Sequence, residues 1–298
     1  MAAELFQTDA AFCQLVQQAS DCASADLKKV CLRGPERELA KAEHVQPLLV
    51  AVSLGYWGKL VRSGIEPEVV LGHSLGEITA LAAAGVLTAE AAVKVAAQRG
   101  KFMGAAAAKM AGGMMAVLSP RRQPVLDALA QLLQAGRVFL ANDNAPDQLL
   151  FSGSLTGLTE AARLISGAKL ATCRKLPVSG PWHCPLMLEA QREFAAWLQT
   201  VPLQSPRVPV LMNVSASPES DPEEIRRQVV RNLTEPVQWR ACLERLREMQ
   251  PRVLLEIGPS RVLSGLARAN GFGDEVQIFN INNLRGLNFL VHTTGKNC

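Results

Sequence analysis

The chain has 298 residues, 48% of them hydrophobic, 19% charged and only 5% aromatic, with a mean hydropathy of +0.11. That balance excludes a disordered or collagen-like chain and leaves Ala, Leu and Val to build the core, which favours helices on a buried parallel sheet over an all-β sandwich. The net charge of +4 is too small and too scattered for a nucleic-acid surface.

The N-terminal third reads as helical, with apolar residues at three- and four-residue spacing over Ala11 to Ala23 and Val45 to Ser63. Gly64-Ile65-Glu66-Pro67 stops the second helix, and Glu68 to Leu71 reads as a short buried strand. Gly72 follows at once; Leu75 to Ala84 forms a helix, and Thr88 is the N-cap of another that runs to about Met110. The middle of the chain then gives strand Met114 to Leu118, helix Pro120 to Leu133, strands Arg137 to Ala141 and Gln148 to Ser152 around a turn at 142–146, helix Leu155 to Ser166 and strand Ala171 to Leu176. The order β-α-β-β-α-β is the split, ferredoxin-like pattern. The sequence therefore predicts a large α/β unit, residues 1–113 and 179–298, carrying a small ferredoxin-like insertion at 114–178. Gly112-Gly113 and Pro177 to Pro181 would be its linkers. Beyond His183 the expectation is a helix to Thr200, a strand at Val208 to Val214, helices at Glu223 to Leu233 and Pro236 to Met249, and a strand at Val253 to Glu256. The tail after Arg285 shows no period.

Seven cysteines (Cys13, Cys22, Cys31, Cys173, Cys184, Cys242 and Cys298) are an odd number without CxxC spacing, so disulfide frameworks and zinc ribbons fit poorly and no metal site is expected. Met1 is followed by no basic segment and no apolar leader, and the most apolar window, Ile78 to Ala97, is broken by Thr79, Thr88, Glu90 and Lys94. The expectation is a soluble cytoplasmic protein that engages no membrane.

Gly72-His73-Ser74-Leu75-Gly76 fits G-x-S-x-G with a strand before it and a helix after it, the context of a nucleophile elbow. A strand-to-helix reversal in one residue strains the backbone at Ser74, and side chains at Gly72 or Gly76 would clash. The hydroxyl is lifted to a helix N-terminus, where the Leu75 N–H can face a developing oxyanion. A tight turn with an incidental serine is the plainer alternative. A serine needs a base. His73 adjoins the elbow and reads as packing or orienting, His44 as surface, and His292 lies in the aperiodic tail. His183, at the exit from the insertion, is the best candidate, with a structural histidine as the alternative. An α/β-hydrolase would place its histidine late in the chain, which disfavours that reading.

Gly72-His73-Ser74-Leu75-Gly76-Glu77 resembles the nucleophile segment of malonyl-CoA:acyl carrier protein transacylases and of the acyltransferase domains of fatty acid and polyketide synthases. Six further stretches follow in that family's order: Gln98 to Met103, Ala141 to Gln148 with Ser152-Gly153, Val178 to Met187, Val210 to Val214, Pro236 to Trp239, and Glu256 to Pro259. The resemblance implies a hydrolase-like α/β domain with a ferredoxin-like insertion. It implies that Ser74 attacks the malonyl-CoA thioester with His183 as base, and that the phosphopantetheine thiol of acyl carrier protein takes the malonyl group in a second half-reaction. No bound cofactor is implied. Arg99 would pair with the free malonyl carboxylate; taken alone, Gln98-Arg99-Gly100 reads as a helix surface. The backbone carbonyl of Asn232, where glutamine is commoner, would orient His183, so its side chain is expected to matter little. Trp182 would leave little room for an α-branched acyl group. Cys184 reads as packing, and Arg226, Arg227 and Arg231 as a solvated face that an acidic carrier protein could meet.

The family opens with a strand and a Gly-Gln-Gly-Ser-Gln motif whose first glutamine serves the oxyanion hole; Met1-Ala2-Ala3-Glu4-Leu5-Phe6 resembles the stretch after it. The expectation is unpaired strand neighbours and a lost oxyanion donor, which costs on the order of 100–1,000-fold in rate. Besides malonyl transfer in fatty acid synthesis, the resemblance leaves an acyltransferase serving a polyketide synthase or malonate decarboxylase, or a catalytically poor carrier-protein-binding protein.

Overall fold

The computed structural model describes residues 1–273 and 275–294. Helices α1 (Leu5–Thr8), α2 (Ala10–Ala23), α3 (Leu27–Arg33), α4 (Glu36–Leu39) and α5 (Ala42–Arg62) lead to strand β1 (Val70–Leu71). The elbow follows, then α6 (Gly76–Ala83) and α7 (Ala89–Ala108). Asp9 caps α2 and Thr88 caps α7, each side chain accepting from a backbone N–H three residues on.

Strand β2 (Gly112–Leu118), helix α8 (Arg122–Gln134), strands β3 (Val138–Ala145) and β4 (Gln148–Ser154), helix α9 (Leu155–Gly167) and strand β5 (Thr172–Lys175) come next. They build an antiparallel sheet of order β3-β4-β2-β5, the ferredoxin-like arrangement that the β-α-β-β-α-β pattern predicts. Its core is its own: Met115, Val117, Val125, Leu129, Phe151 and Ile165 pack together.

A 3₁₀ turn (Pro185–Met187) and α10 (Leu188–Leu198) lead to β6 (Val210–Leu211), β7 (Pro218–Glu219), α11 (Pro222–Arg231) and α12 (Trp239–Glu248). Strand β8 (Val253–Ile257), α13 (Val262–Ala269), β9 (Gln277–Ile281) and α14 (Leu284–Thr294) complete the chain. Strand β1 pairs parallel with β6, and β8 pairs parallel with β9. Among the described residues these two ladders share no hydrogen bonds, yet they share packing. Val70, Leu255 and Ile257 border the larger core, while Leu71, Leu254 and Ile278 border a second core around Leu211, Val237 and Trp239.

Four expectations are corrected. Residues 142–145 are strand and not turn, because β3 is drawn along the large unit: Asp143 N–H bonds Val237 O, and Val237 N–H bonds Ala141 O. Register shifts at Leu140/Asn142 and Asp143/Ala145 absorb the polar residues. Gly112 and Gly113 are strand residues paired with Ser154 and Gly153, not a linker. The tail after Arg285 is helical, since Leu287 and Leu290 are buried against the larger core and fix one face of α14. The strand expected at Val208 to Val214 shrinks to Val210–Leu211, with Asn213 diverted to the elbow.

Helix α7 meets α5 at Gly100, where an added Cβ would lie 2.4 Å from the Ala42 carbonyl oxygen. That close approach brings Arg99 and Gln46 within hydrogen-bond distance in the interior. Overpacking of this kind costs about 1–3 kcal/mol, of which alanine's better helix propensity returns up to about 1 kcal/mol. Because the clash is with backbone, which cannot swing aside, the cost sits at the upper end of that range, and Gly100→Ala is expected to lower stability by about 2 kcal/mol, read as a reduced urea midpoint at unchanged slope; an unchanged midpoint contradicts this packing.

Candidate active site

Strand β1 ends at Leu71, and the chain turns into α6 through Ser74, whose φ of +53° lies in the left-handed region. A Cβ at Gly72 would sit 2.0 Å from the Gly76 carbonyl group, so the turn admits no side chain there. The expected clash at Gly76 is absent: a Cβ at that position would meet nothing within 4 Å. Asn213 holds the strained turn from below. Its Oδ1 accepts from Ser74 N–H at 2.7 Å and its Nδ2 donates to Gly72 O at 2.8 Å. The Asn213 N–H donates in turn to Glu77 Oε1 at 2.7 Å. Sequence reasoning missed Asn213 and Glu77 for this task, since each looks like an ordinary strand-end or helix residue.

His183 comes to the elbow from the other direction, at the start of the return into the large unit. It is 3% exposed and also has a left-handed φ, +59°. Its Nδ1 lies 2.6 Å from the Asn232 carbonyl oxygen, which can only accept, so the proton is on Nδ1. Nε2 is then the acceptor for the Ser74 hydroxyl at 2.7 Å. Burial pushes the ring's pKa down to about 3, and the Arg99 charge adds to this, so the imidazole is neutral near pH 7. A hydroxyl hydrogen-bonded to a neutral, oriented imidazole is the arrangement of an activated nucleophile.

Arg99, on α7, is 2% exposed. Its Nη1 donates to Gln46 Oε1 at 2.8 Å, and its Nη2 donates to Asn232 Oδ1 at 3.1 Å and to Ser74 Oγ at 3.3 Å. These partners are all neutral. Glu77 is the nearby carboxyl, and burial pushes its pKa up to about 8, against the opposing pull of the Asn213 N–H and Arg99. Its charge is thus mostly absent at neutral pH. Burial also brings Arg99 down to about 10, still well above neutrality. The result is a buried cation with no charged partner among the described residues, beside the nucleophile. The Leu75 N–H, at the head of α6, makes no hydrogen bond among the described residues, and Leu75 lines the same cleft as Ser74, Arg99, Gln46, Met103 and Trp182.

The structure thus brings Ser74, His183, Arg99, Leu75 and Asn232 together. His73 turns away to Asn144 Oδ1 at 2.8 Å and packs edge-on against Trp239, which ties the elbow to β3. His292 is exposed on α14. His44 corrects the surface reading: it is buried, with Nδ1 3.1 Å from Glu38 O. Arg226 is likewise no surface residue, since it is buried and caps the carbonyls of Leu198 and Val201 at the end of α10. Arg227 and Arg231 pair with Glu224 and Glu235 on their own stretch. Cys184 is buried with its thiol on Pro181 O. Cys298 lies outside the described residues.

A family model described as an acyl transferase domain matches residues 1–271. A Haemophilus influenzae protein named malonyl CoA-acyl carrier protein transacylase is 34% identical over 274 residues, spanning 91% of this chain and 87% of that protein. An acyl carrier protein S-malonyltransferase structure from Vibrio cholerae matches with a TM-score of 0.89 at 32% identity, covering 97% of this chain and 94% of that one. A structure of a type II PKS acyl-carrier protein in complex with its malonyl-transacylase matches with a TM-score of 0.91 at 32% identity, over 98% of this chain and 94% of that one.

The Glu77 carboxyl yields a prediction about stability. Its native pKa, about 8, stands above the ordinary value of 4.5, so between those values the native state holds a proton that the unfolded state has lost. This contribution is fully present below pH 4.5 and is lost as pH rises through about 8. Glu77→Gln keeps an Oε1 acceptor for Asn213 and removes the proton. The variant is expected to lose less stability than the wild type between about pH 5 and pH 8 in parallel urea titrations, roughly the window set by one linked proton. Parallel slopes for the two proteins contradict the assignment.

Proposed function

Because the chain belongs to the acyl transferase domain family, we propose that it moves a malonyl group from malonyl-CoA to the phosphopantetheine thiol of an acyl carrier protein of fatty acid synthesis. The observation that carries this reading is the buried Arg99 guanidinium, held by neutral oxygens and within 3.3 Å of the Ser74 hydroxyl. A malonyl ester on Ser74 has its free carboxylate one methylene from the ester carbonyl. An acetyl ester has nothing to offer the cation. Desolvated charge pairs with such geometry discriminate strongly, because the guanidinium left alone is poorly solvated.

In the first half-reaction the Ser74 hydroxyl proton passes to His183 Nε2 as Oγ attacks the thioester carbonyl. The tetrahedral oxyanion forms where the Leu75 N–H points, at the positive end of α6. The C–S bond breaks, and the CoA thiolate takes the proton from His183. In the second, the incoming phosphopantetheine thiol gives its proton to His183 and attacks the malonyl ester; the C–O bond breaks and Ser74 recovers the proton. Asn232 O keeps the imidazole in the tautomer that both steps need. Neither half-reaction needs a group beyond the two substrates.

In this reading residues 1–111 and 179–298 are the acyl-transferring unit, and 112–178, with Gly112 and Gly113 paired to Ser154 and Gly153, are the insert whose β3 carries Asn144 to His73. A carrier of polyketide synthesis is a second acceptor of the same chemistry, favoured by the matched complex with a type II PKS carrier. The six described cysteines are free thiols, which fits a reducing, cytoplasmic location. No helix among the described residues is long and apolar enough to cross a membrane.

The test is intact-protein mass spectrometry after brief exposure to malonyl-CoA or acetyl-CoA. The wild type is expected to gain one malonyl group and Ser74→Ala none. Arg99→Ala should load malonyl about 100-fold more slowly, the scale of losing one partner of a buried charge pair, while acetyl loading changes far less. Malonyl loading of Ser74→Ala, or equal loading of the two acyl groups by the wild type, overturns the reading.

A further inference from the structure

We propose that the Asn232 carboxamide is a positioning group that aims the Arg99 guanidinium at the acyl carboxylate, so that Asn232 serves the site with its side chain as well as its backbone. The inference rests on the reading of Ser74 as acyl acceptor and Arg99 as carboxylate ligand. It departs from the expectation that the side chain at 232 matters little.

Asn232 follows the last turn of α11 and is 1% exposed. Its carbonyl oxygen accepts from His183 Nδ1 at 2.6 Å, and its Oδ1 accepts from Arg99 Nη2 at 3.1 Å. Nδ2 faces Asn213 Oδ1 at 3.4 Å, the same oxygen that accepts from the Ser74 N–H. One residue thus ties together the base, the cation and the nucleophile's backbone. A guanidinium Nη carries two hydrogens. On Nη2 one goes to Asn232 and the other to Ser74 Oγ, the atom that will carry the acyl group. Asn232 thereby fixes the roll of the guanidinium plane about its long axis, with Gln46 holding Nη1 on the other side.

The neutrality of this acceptor is as important as its place. A carboxylate at 232 would hold Nη2 equally well, but it would compensate the charge and compete with the substrate's own carboxylate. An apolar side chain would leave an Nη2 hydrogen unsatisfied and the plane free to turn. The carboxamide does neither: it orients the cation without satisfying its charge.

The experiment compares Asn232→Leu, Asn232→Asp and Asn232→Gln with the wild type, each first checked for folding by circular dichroism melts. Malonyl-CoA and acetyl-CoA kinetics are then measured across pH. Asn232→Leu is expected to raise the malonyl-CoA KM about tenfold, the scale of one hydrogen bond to a charged group, and to narrow the preference over acetyl by a similar factor, with the position of the pH profile kept because the backbone still orients His183. Acetyl-CoA kinetics, in which no carboxylate calls on Arg99, should change far less than malonyl-CoA kinetics. Asn232→Asp should lose about 100-fold in malonyl kcat/KM and narrow the preference over acetyl by a similar factor. Asn232→Gln should restore wild-type selectivity. Should the leucine variant fail to fold, the aspartate and glutamine pair still decides. An unchanged malonyl KM and acyl preference in Leu and Asp variants overturns the proposal. So does an equal fall in kcat for both acyl groups with a displaced pH profile, which would assign Asn232 a role through His183 alone. A wild type that loads no malonyl overturns the underlying functional reading and this inference with it, whereas normal wild-type loading with indifferent variants overturns this inference alone.

Discussion

A buried guanidinium without a charged partner is costly, and the site is organised around that cost. Moving an ion of this size out of water carries an effective penalty of several kcal/mol even after relaxation. Arg99 meets it with hydrogen bonds to two carboxamides and a hydroxyl, all of them dipoles, while the neighbouring Glu77 carboxyl is kept largely protonated by its own burial. The cation therefore stays poorly compensated until an anion arrives. The same uncompensated charge helps keep His183 neutral, which is the form that a general base must have before the reaction starts. Selection of an anionic acyl group and readiness of the base thus have one physical source.

That arrangement requires a rigid frame, and the backbone supplies it under strain. Ser74 and His183 both hold left-handed conformations that non-glycine residues rarely adopt. Such conformations persist only where the surroundings over-determine them. Asn213 does this at the elbow through three hydrogen bonds, to Ser74 N–H, Gly72 O and Glu77. At His183 the ring is fixed at both nitrogens, by Asn232 O and by Ser74 Oγ. Helix α7 adds the third side of the site, brought against α5 by the absence of a side chain at Gly100.

Much of this is legible in the amino-acid order, and the reasons are local. The elbow is written in adjacent residues, because one strand-to-helix turn sets Gly72, Ser74 and the Leu75 N–H at once. The β-α-β-β-α-β order is readable because each element of the insertion carries its own period and makes its own core. What stays hidden depends on long-range partners. Residues 142–145 have turn chemistry, yet pairing with Val237 makes them strand. His44 and Arg226 look like surface groups until Glu38 O and the Leu198 and Val201 carbonyls are brought to them. Asn213 is an asparagine at a strand end, and nothing nearby in the chain reveals that it braces the nucleophile 139 positions away. Asn232 is visible there only as a backbone carbonyl, because its carboxamide acquires a role from an arginine on a distant helix. The aperiodic reading of the tail fails for a simpler reason: Leu284, Leu287 and Leu290 do repeat at helical spacing, and α14 buries the last two.

An acyl group on Ser74 with its carboxylate on Arg99 is the state on which all of this turns, and a structure of the malonyl-loaded protein tests it most directly. Crystals briefly exposed to malonyl-CoA are expected to show an ester on Ser74 Oγ, the ester carbonyl oxygen facing the Leu75 N–H, and the malonyl carboxylate paired with the Arg99 guanidinium while Asn232 Oδ1 still holds Nη2. An acyl group on another residue, or an ester on Ser74 whose carboxylate points to solvent with Arg99 unchanged, would contradict the account.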